Sequence, residues 1–439
     1  MAVAQPPHLF VDSRNRAMRC LLWSLVLAVV ASSPARADEW PTFRGSQRTG
    51  VAPDKGLLTK WPEGGPKLLW QAKGAGRGYS SLAIAGGKIF TLGDGPSGAS
   101  DKDEYLVAFD LASGKPAWQT KTGPAWNEGP APWQSSRSTP TVDGDRVYAL
   151  TAQGKLVCAQ TADGKMLWEK DLKADFGGKK ADGWGYSESV LIDGDRLICT
   201  PGGDKATVVA LDKKTGNEVW KTVRAEDRGA GHASIVITQI GDVKVYVQTT
   251  GSGPLGIRAS DGKLLWQYPI DRTTAVIPTP ICQGDLVYFV CGYGRGACLL
   301  KQVAAGDGEV KIEEKYGLKS NLGNKHGGVV LLGDFIYGDS EDQGVPQCVE
   351  LLTGESKWKS RGSGKGSAAV TAADGHLYVH FQDGTLALVK ADPAAYTEVG
   401  SFKVPGSGER PSWTQPVIVD GKLYVREQDA LLCYDVKSN

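Results

Sequence analysis

No Cys-x-x-Cys pair, no adjacent cysteines and no Gly-x-Ser-x-Gly turn occur in the 439 residues. The first absence removes the usual thiolate metal sites, and the last removes the strained nucleophile turn of α/β hydrolases. Lysine and arginine form no block, so the electrostatic footprint of a nucleic-acid binder is missing. No apolar run reaches the ~20 residues that a membrane-spanning helix needs. What is abundant is glycine (57) and tryptophan (13), a combination suited to a turn-rich all-β chain.

The N-terminus reads as an export segment. Arg14, Arg16 and Arg19 precede an apolar run from Leu21 to Ala31, and Ala35-Arg36-Ala37 follows. A basic flank, a short apolar core and an A-x-A site are the parts of a secretory signal peptide, here residues 1–37. Met18 is an alternative start. Cys20 lies before the apolar run, whereas a lipoprotein cysteine would follow it, so no lipid anchor is expected. The first 37 residues hold four arginines and one aspartate, leaving 46 basic and 48 acidic residues, a formal charge of −2. The expected address is the periplasm, with no membrane span.

A turn followed by tryptophan recurs along the chain. Ser113-Gly114-Lys115 leads to Trp118, Asp163-Gly164-Lys165 to Trp168, Thr215-Gly216 to Trp220, Asp261-Gly262-Lys263 to Trp266 and Thr353-Gly354 to Trp358. Glycine supplies the positive φ of a tight turn, and the aromatic residue suits the strand that follows. Intervals of 50, 52 and 46 residues separate the first four tryptophans, which is the period of a four-stranded propeller blade. A strand–turn–strand hairpin precedes each by about 30 residues, as in Val142-Asp-Gly-Asp-Arg-Val-Tyr148. Counting these hairpins gives eight blades. The chain stops where the last blade still needs its tryptophan strand, and Pro66-Lys67-Leu68-Leu69-Trp70 offers one at the other end. The expectation is an all-β, eight-bladed β-propeller over residues 67–439, closed by its own N-terminal strand so that no edge stays open. Residues 38–66 form a separate N-terminal segment, whose Trp40–Gly45 stretch is expected to fold back over one end.

Leu106-Val-Ala-Phe-Asp110 with Ser113-Gly-Lys-Pro-Ala-Trp118, and Val208-Val-Ala-Leu-Asp212 with Thr215-Gly-Asn-Glu-Val-Trp220, look like the pyrroloquinoline-quinone (PQQ) repeat. The chain thus resembles the bacterial PQQ-like propeller family over roughly residues 67 to 439. The resemblance implies two roles: quinoprotein alcohol dehydrogenase, or non-enzymatic scaffold of the BamB kind. The repeat specifies a fold and does not choose between them.

Seven cysteines follow residue 37. Aligned by repeat, one third-strand slot holds Ala108, Cys158, Ala210, Gly256, Cys298, Cys348, Ala387 and Cys433, all small. Cysteine there is expected to act as a small buried apolar residue where blades press together. Cys291 and Cys298 are the candidate disulfide: a two-residue turn at Gly294-Arg295 would set them opposite each other, although in a hydrogen-bonded pair whose Cα atoms stand wide for a bridge.

The loops entering the innermost strands face the funnel of a propeller. They bring Tyr79, Arg137, Tyr186, His232, His326 and Trp413 toward one rim, either as a ligand or partner site or as a mutually bonded plug. Two longer inserts add Trp126, Trp133 and Trp184, which either recognise a peptide or carbohydrate or cover their own blades. Gly74-Ala-Gly76-Arg-Gly78 looks like a phosphate loop but opens onto a strand, without a helix N-terminus behind it.

The dehydrogenase reading needs PQQ and calcium in the funnel and, as the resemblance implies, a disulfide between adjacent cysteines; the slot offers Tyr, Arg and His instead of carboxylates. A third reading is a sugar-binding or lyase-like propeller using His232 and His326 with Tyr79 or Arg137. The favoured expectation is a monomeric binding or scaffold protein of the envelope, with no cofactor and no metal, whose ligand or partner (an envelope protein, peptide or carbohydrate) sits at the rim.

Overall fold

The computed structural model describes residues 39–438 apart from 97, 98, 272 and 342. The expected export segment, residues 1–37, lies outside the described residues.

Eight four-stranded antiparallel sheets follow one another, each a meander whose first strand lies innermost. Blades 1 to 7 span Ala83–Pro124, Thr141–Asp171, Leu191–Thr222, Val236–Gln267, Ile281–Lys319, Val329–Lys359 and Ala368–Lys403. Blade 8 takes three strands from Val417–Asp435, and its outer strand is Lys67–Lys73 from the other end of the chain. There Trp70 stands opposite Cys433 and Lys73 opposite Ala430, so the ring closes as the repeat count required.

Local chemistry explains the hairpins. Between the first two strands of blades 2 to 6 the two-residue loop is Gly-Asp, as at Gly144-Asp145, flanked by the pair Asp143 and Arg146. Only the glycine has positive φ, +59° at Gly144, which is the type II′ pattern that suits the twist of a hairpin. At Asp374-Gly375 and Asp420-Gly421 both residues have positive φ, the I′ alternative.

The repeat motif itself is a latch between neighbouring blades. In blades 1 to 4 the glycine of the turn before the fourth strand lies against the tryptophan of the preceding blade: a Cβ on Gly164 would stand 2.5 Å from Trp118, and one on Gly262 2.4 Å from Trp220. The indole N–H then donates across the gap, from Trp118 to Thr161 O at 3.1 Å and from Trp168 to Lys213 O at 3.2 Å. Gly114 meets Trp70 in the same way, so the latch also joins blade 8 to blade 1.

The small slot has its reason in the same indoles. Ala108, Cys158, Ala210, Gly256, Cys348 and Cys433 each pair across the sheet with the tryptophan of their own blade. A Cβ on Gly256 would come within 2.1 Å of Trp266. The limit on size is therefore the tryptophan within the blade, more than the pressure between blades. Cys158, Cys298, Cys348 and Cys433 are fully buried, and burial pushes the thiols of Cys158, Cys348 and Cys433 up to about 11.

The Cys291–Cys298 pairing is corrected. Cys291 stands opposite Gly296, and Cys298 opposite Phe289, because the turn spans Gly292–Arg295 and not two residues. Both thiols are free. The extra turn residues move Cys298 two positions along the ladder, beyond disulfide reach of Cys291.

Segment 39–66 does more than fold over one end. Trp40 exchanges both backbone hydrogen bonds with Ile84 of blade 1, at 2.8 Å each, and Pro41 O accepts from Val142 N of blade 2. Arg48 donates to Ser189 O at 2.9 Å and Ile235 O at 3.0 Å, carbonyls leading into blades 3 and 4. Arg44 donates to Val329 O of blade 6 at 2.5 Å, and Ala52 N to Ala372 O of blade 7 at 2.8 Å. The segment crosses the axis and ties the inner strands of six blades before Asp54 accepts from Gly421 N of blade 8. Both arginines are buried, and desolvation lowers each guanidinium to about 10.

Candidate functional site

The loops that enter the inner strands enclose a funnel of about 220 Å³. Seven of the nine residues nominated from the sequence line it: Tyr79, Trp133, Arg137, Trp184, His232, His326 and Trp413. Tyr186 and Trp126 do not. Tyr186 is 1% exposed, packed between blades 2 and 3 with its hydroxyl donating to Pro201 O at 2.9 Å. Trp126 is 3% exposed and lies behind Trp184, centroids 5.9 Å apart. Alternation explains Tyr186: it turns into the blade, while the next residue, Ser187, faces the funnel.

The walls are organised by ring stacking. His326 lies on Trp413 with centroids 4.5 Å apart and planes inclined 23°, and Tyr79 meets the same indole at 4.7 Å. Trp413 Nε1 donates to Gln382 Oε1 at 2.9 Å, and His326 Nδ1 bonds Ser367 Oγ at 2.9 Å. Across the funnel, Arg137 sits over Trp126 at 5.1 Å and over Tyr79 and Trp184, each at 5.7 Å. Its guanidinium also donates to Trp133 O, and burial lowers it to about 10.

A polar chain crosses blades 3 and 4. Ser187 Oγ lies 2.7 Å from His232 Nδ1, and His232 Nε2 lies 2.9 Å from Asp182 Oδ2. Burial, with Lys180 nearby, depresses the imidazole to about 4 in spite of Asp182. Burial works against the Asp182 charge, but His232, Lys180 and the Trp184 N–H together hold that carboxyl below the usual range. At neutral pH the ring is therefore neutral: Nε2–H donates to Asp182, and Nδ1 accepts from Ser187. The order of groups matches nucleophile, base and orienting carboxylate, and its immediate effect is to fix the Ser187 hydroxyl in direction. Lys180 donates to Gly231 O at 2.6 Å and is pushed down to about 8 by burial.

Sequence reasoning nominated Trp133 at the mouth but missed Tyr293 beside it, and it expected Trp40–Gly45 over one end without placing Phe43 and Arg44 in the funnel floor. Nothing local marks Phe43 or Arg44, because blades remote in sequence bring the funnel to them.

The model of the family described as outer membrane protein assembly factor BamB matches residues 102–360. The chain belongs to this family. A BamB of Burkholderia pseudomallei is 28% identical over 208 residues, 47% of this chain and 49% of that protein. That of Shewanella oneidensis is 23% identical over 391 residues, 84% of this chain and 88% of that one. The first match thus spans about half of its relative. Among solved structures, BamB from Moraxella catarrhalis superposes with a TM-score of 0.57 at 15% identity, covering 85% of this chain and 98% of that one. A europium-containing methanol dehydrogenase reaches 0.64 at 13%, covering 89% of each. At such identities the likeness concerns the fold alone.

The dehydrogenase neighbour raises the question of a quinone with calcium. Calcium takes six to eight oxygen ligands, usually with carboxylates among them. Among the described residues, no aspartate or glutamate lines the funnel and no three metal-ligating side chains cluster. Nor do adjacent cysteines exist to cap a quinone. The donor set does not fit that pair.

Proposed function

We propose that this BamB-family propeller is an exported scaffold of the cell envelope that engages an envelope protein at the funnel rim. The observation carrying the reading is the mouth itself. Trp133 and Tyr293 stay 40% and 42% exposed there, set on a ring that the latches and the axis-crossing segment make rigid. Large aromatic side chains held rigidly at low entropic cost are the usual anchors of protein recognition. The relatives described as assembly factors support the envelope setting. The leader read in residues 1–37 supports export.

A photo-crosslinking amino acid at position 133 or 293, in cells, tests this. Crosslinks to an outer-membrane assembly component are expected from both rim positions. Crosslinks confined to the opposite face, for example from position 145, would overturn the rim as the docking surface. Titration with PQQ and calcium is expected to leave absorbance and Tm unchanged; a rise in Tm would restore the dehydrogenase reading.

A further inference from the structure

The funnel floor holds a charge that the protein leaves unfinished. Arg44 is 1% exposed. Its Nε donates to Arg48 O at 3.3 Å, and Nη2 donates to Thr49 O at 2.7 Å and Val329 O at 2.5 Å. Nη1, the remaining terminal nitrogen, has no hydrogen-bond partner among the described residues. It faces Gly328, a lining residue where an added Cβ would stand 3.0 Å away, so glycine there keeps the approach open. A buried cation with an unmet donor is costly, and among the described residues no carboxylate lines the funnel to offset it. The wall repeats the pattern, since Nε of Arg137 is also buried without a partner among the described residues. The rings of Tyr79, Trp184 and Trp413 line the same funnel.

We infer that the funnel binds a small organic anion, its carboxylate on Nη1 of Arg44 and its ring along the aromatic wall near Arg137. Charge-assisted bonds to guanidinium suit a carboxylate, and the absence of acidic lining residues removes the repulsion it would otherwise meet. A cavity of about 220 Å³ limits the guest to about one ring, below the ~300 Å³ at which drug-sized sites begin. Acidic sugars and aromatic acids share this chemistry. The inference deepens the rim reading and rests on it only for the location, since the anion lies below the mouth.

Tryptophan fluorescence of the purified chain reads the site through Trp184 and Trp413. The probes are glucuronate and 4-hydroxybenzoate, each beside its neutral counterpart, methyl glucoside and 4-hydroxybenzyl alcohol. Saturable quenching by at least one acid is expected, with the neutral partner weaker by roughly tenfold or more, and which acid binds separates sugar from aromatic guest. Arg44→Met is expected to weaken the acid roughly tenfold. Because Arg44 also anchors the axis-crossing segment, Arg137→Gln is measured beside it and should weaken the acid while leaving the neutral partner unchanged. Equal binding of acid and neutral partner, no saturable binding by either acid, or indifference to both substitutions overturns the inference. Crosslinking from position 133 can succeed while every acid fails, so loss of the anion site and loss of the rim reading are told apart.

Discussion

Buried ionisable side chains set how this propeller responds to pH. Glu188 accepts from Thr200 N at 2.7 Å, Thr200 Oγ1 at 3.0 Å and Gln248 Nε2 at 3.1 Å, yet burial outweighs these bonds and pushes its carboxyl up to about 8. Glu427 rises to about 7 for the same reason. A carboxyl raised in the folded state keeps a proton that the unfolded chain has already released. Its stabilisation is complete below the usual carboxylate range and is lost as pH climbs through the folded value. His232 acts in the opposite sense: depressed from 6.5 to about 4, it costs stability as pH falls through that interval and contributes no slope above it. Between pH 6.5 and 8 the Glu188 loss is therefore unopposed by His232 and amounts to about 1.4 kcal/mol per pH unit for each proton released. Tm is expected to fall across that window, and Glu188→Gln should reduce the slope when melting is followed at both ends.

Arg426 shows the cost of a single buried cation in the same ring. It is 1% exposed and donates to Ser80 O at 3.0 Å, Leu92 O at 2.5 Å and Gly76 O at 3.0 Å, tying blade 8 to blade 1. Arg426→Met leaves those carbonyls without a donor. A loss of about 3 kcal/mol or more is expected in urea unfolding.

At the scale of the element, the two turn types of a blade carry different loads. Gly144 sits in an open hairpin loop with nothing within 4 Å of an added Cβ, so Gly144→Ala meets only the penalty of positive φ, about 1–2 kcal/mol. Gly262 has φ +76° and would also drive its Cβ into Trp220 at 2.4 Å. Gly262→Ala should therefore cost about 1–3 kcal/mol beyond the turn strain, and the difference between the two variants in denaturant midpoint checks the latch. Both turns were legible as glycine signals in the sequence. What the glycine before the tryptophan strand touches was not, because its partner lies in the preceding blade, 42 residues away in the case of Trp220. The Cys291 hairpin was misread for a related reason. Gly294-Arg295 fits a two-residue loop by composition, but the ladder continues only as far as Cys291 and Gly296, with four residues between.

The whole molecule is a ring whose closure concentrates in one sector. The largest apolar cluster joins blades 7, 8 and 1 to Trp40, Leu57 and Trp61 of the N-terminal segment. The other clusters each bridge neighbouring blades, as that of Leu191, Ile198 and Tyr246 does between blades 3 and 4. Deleting residues 39–73 would remove the outer strand of blade 8, expose the edge of Ala430–Asp435 and withdraw the arginines from the axis. An open edge invites pairing between chains. The truncated chain is expected to elute as aggregates in size-exclusion chromatography with light scattering, whereas the intact chain elutes as a monomer.

By itself the sequence determined the blade count, the closing strand at Lys67–Trp70 and the loops that meet at the funnel. Each of these is written as a local pattern, a turn glycine or a tryptophan at a fixed interval, and repetition makes such patterns readable. Only the tertiary structure decided that Tyr186 and Trp126 turn inward, that Cys291 and Cys298 miss each other, and that Arg44 and Arg48 run beneath the funnel. Those outcomes depend on strand register and on where a non-repeating segment passes among six blades, and a register shift of one residue reverses which side chain faces the axis.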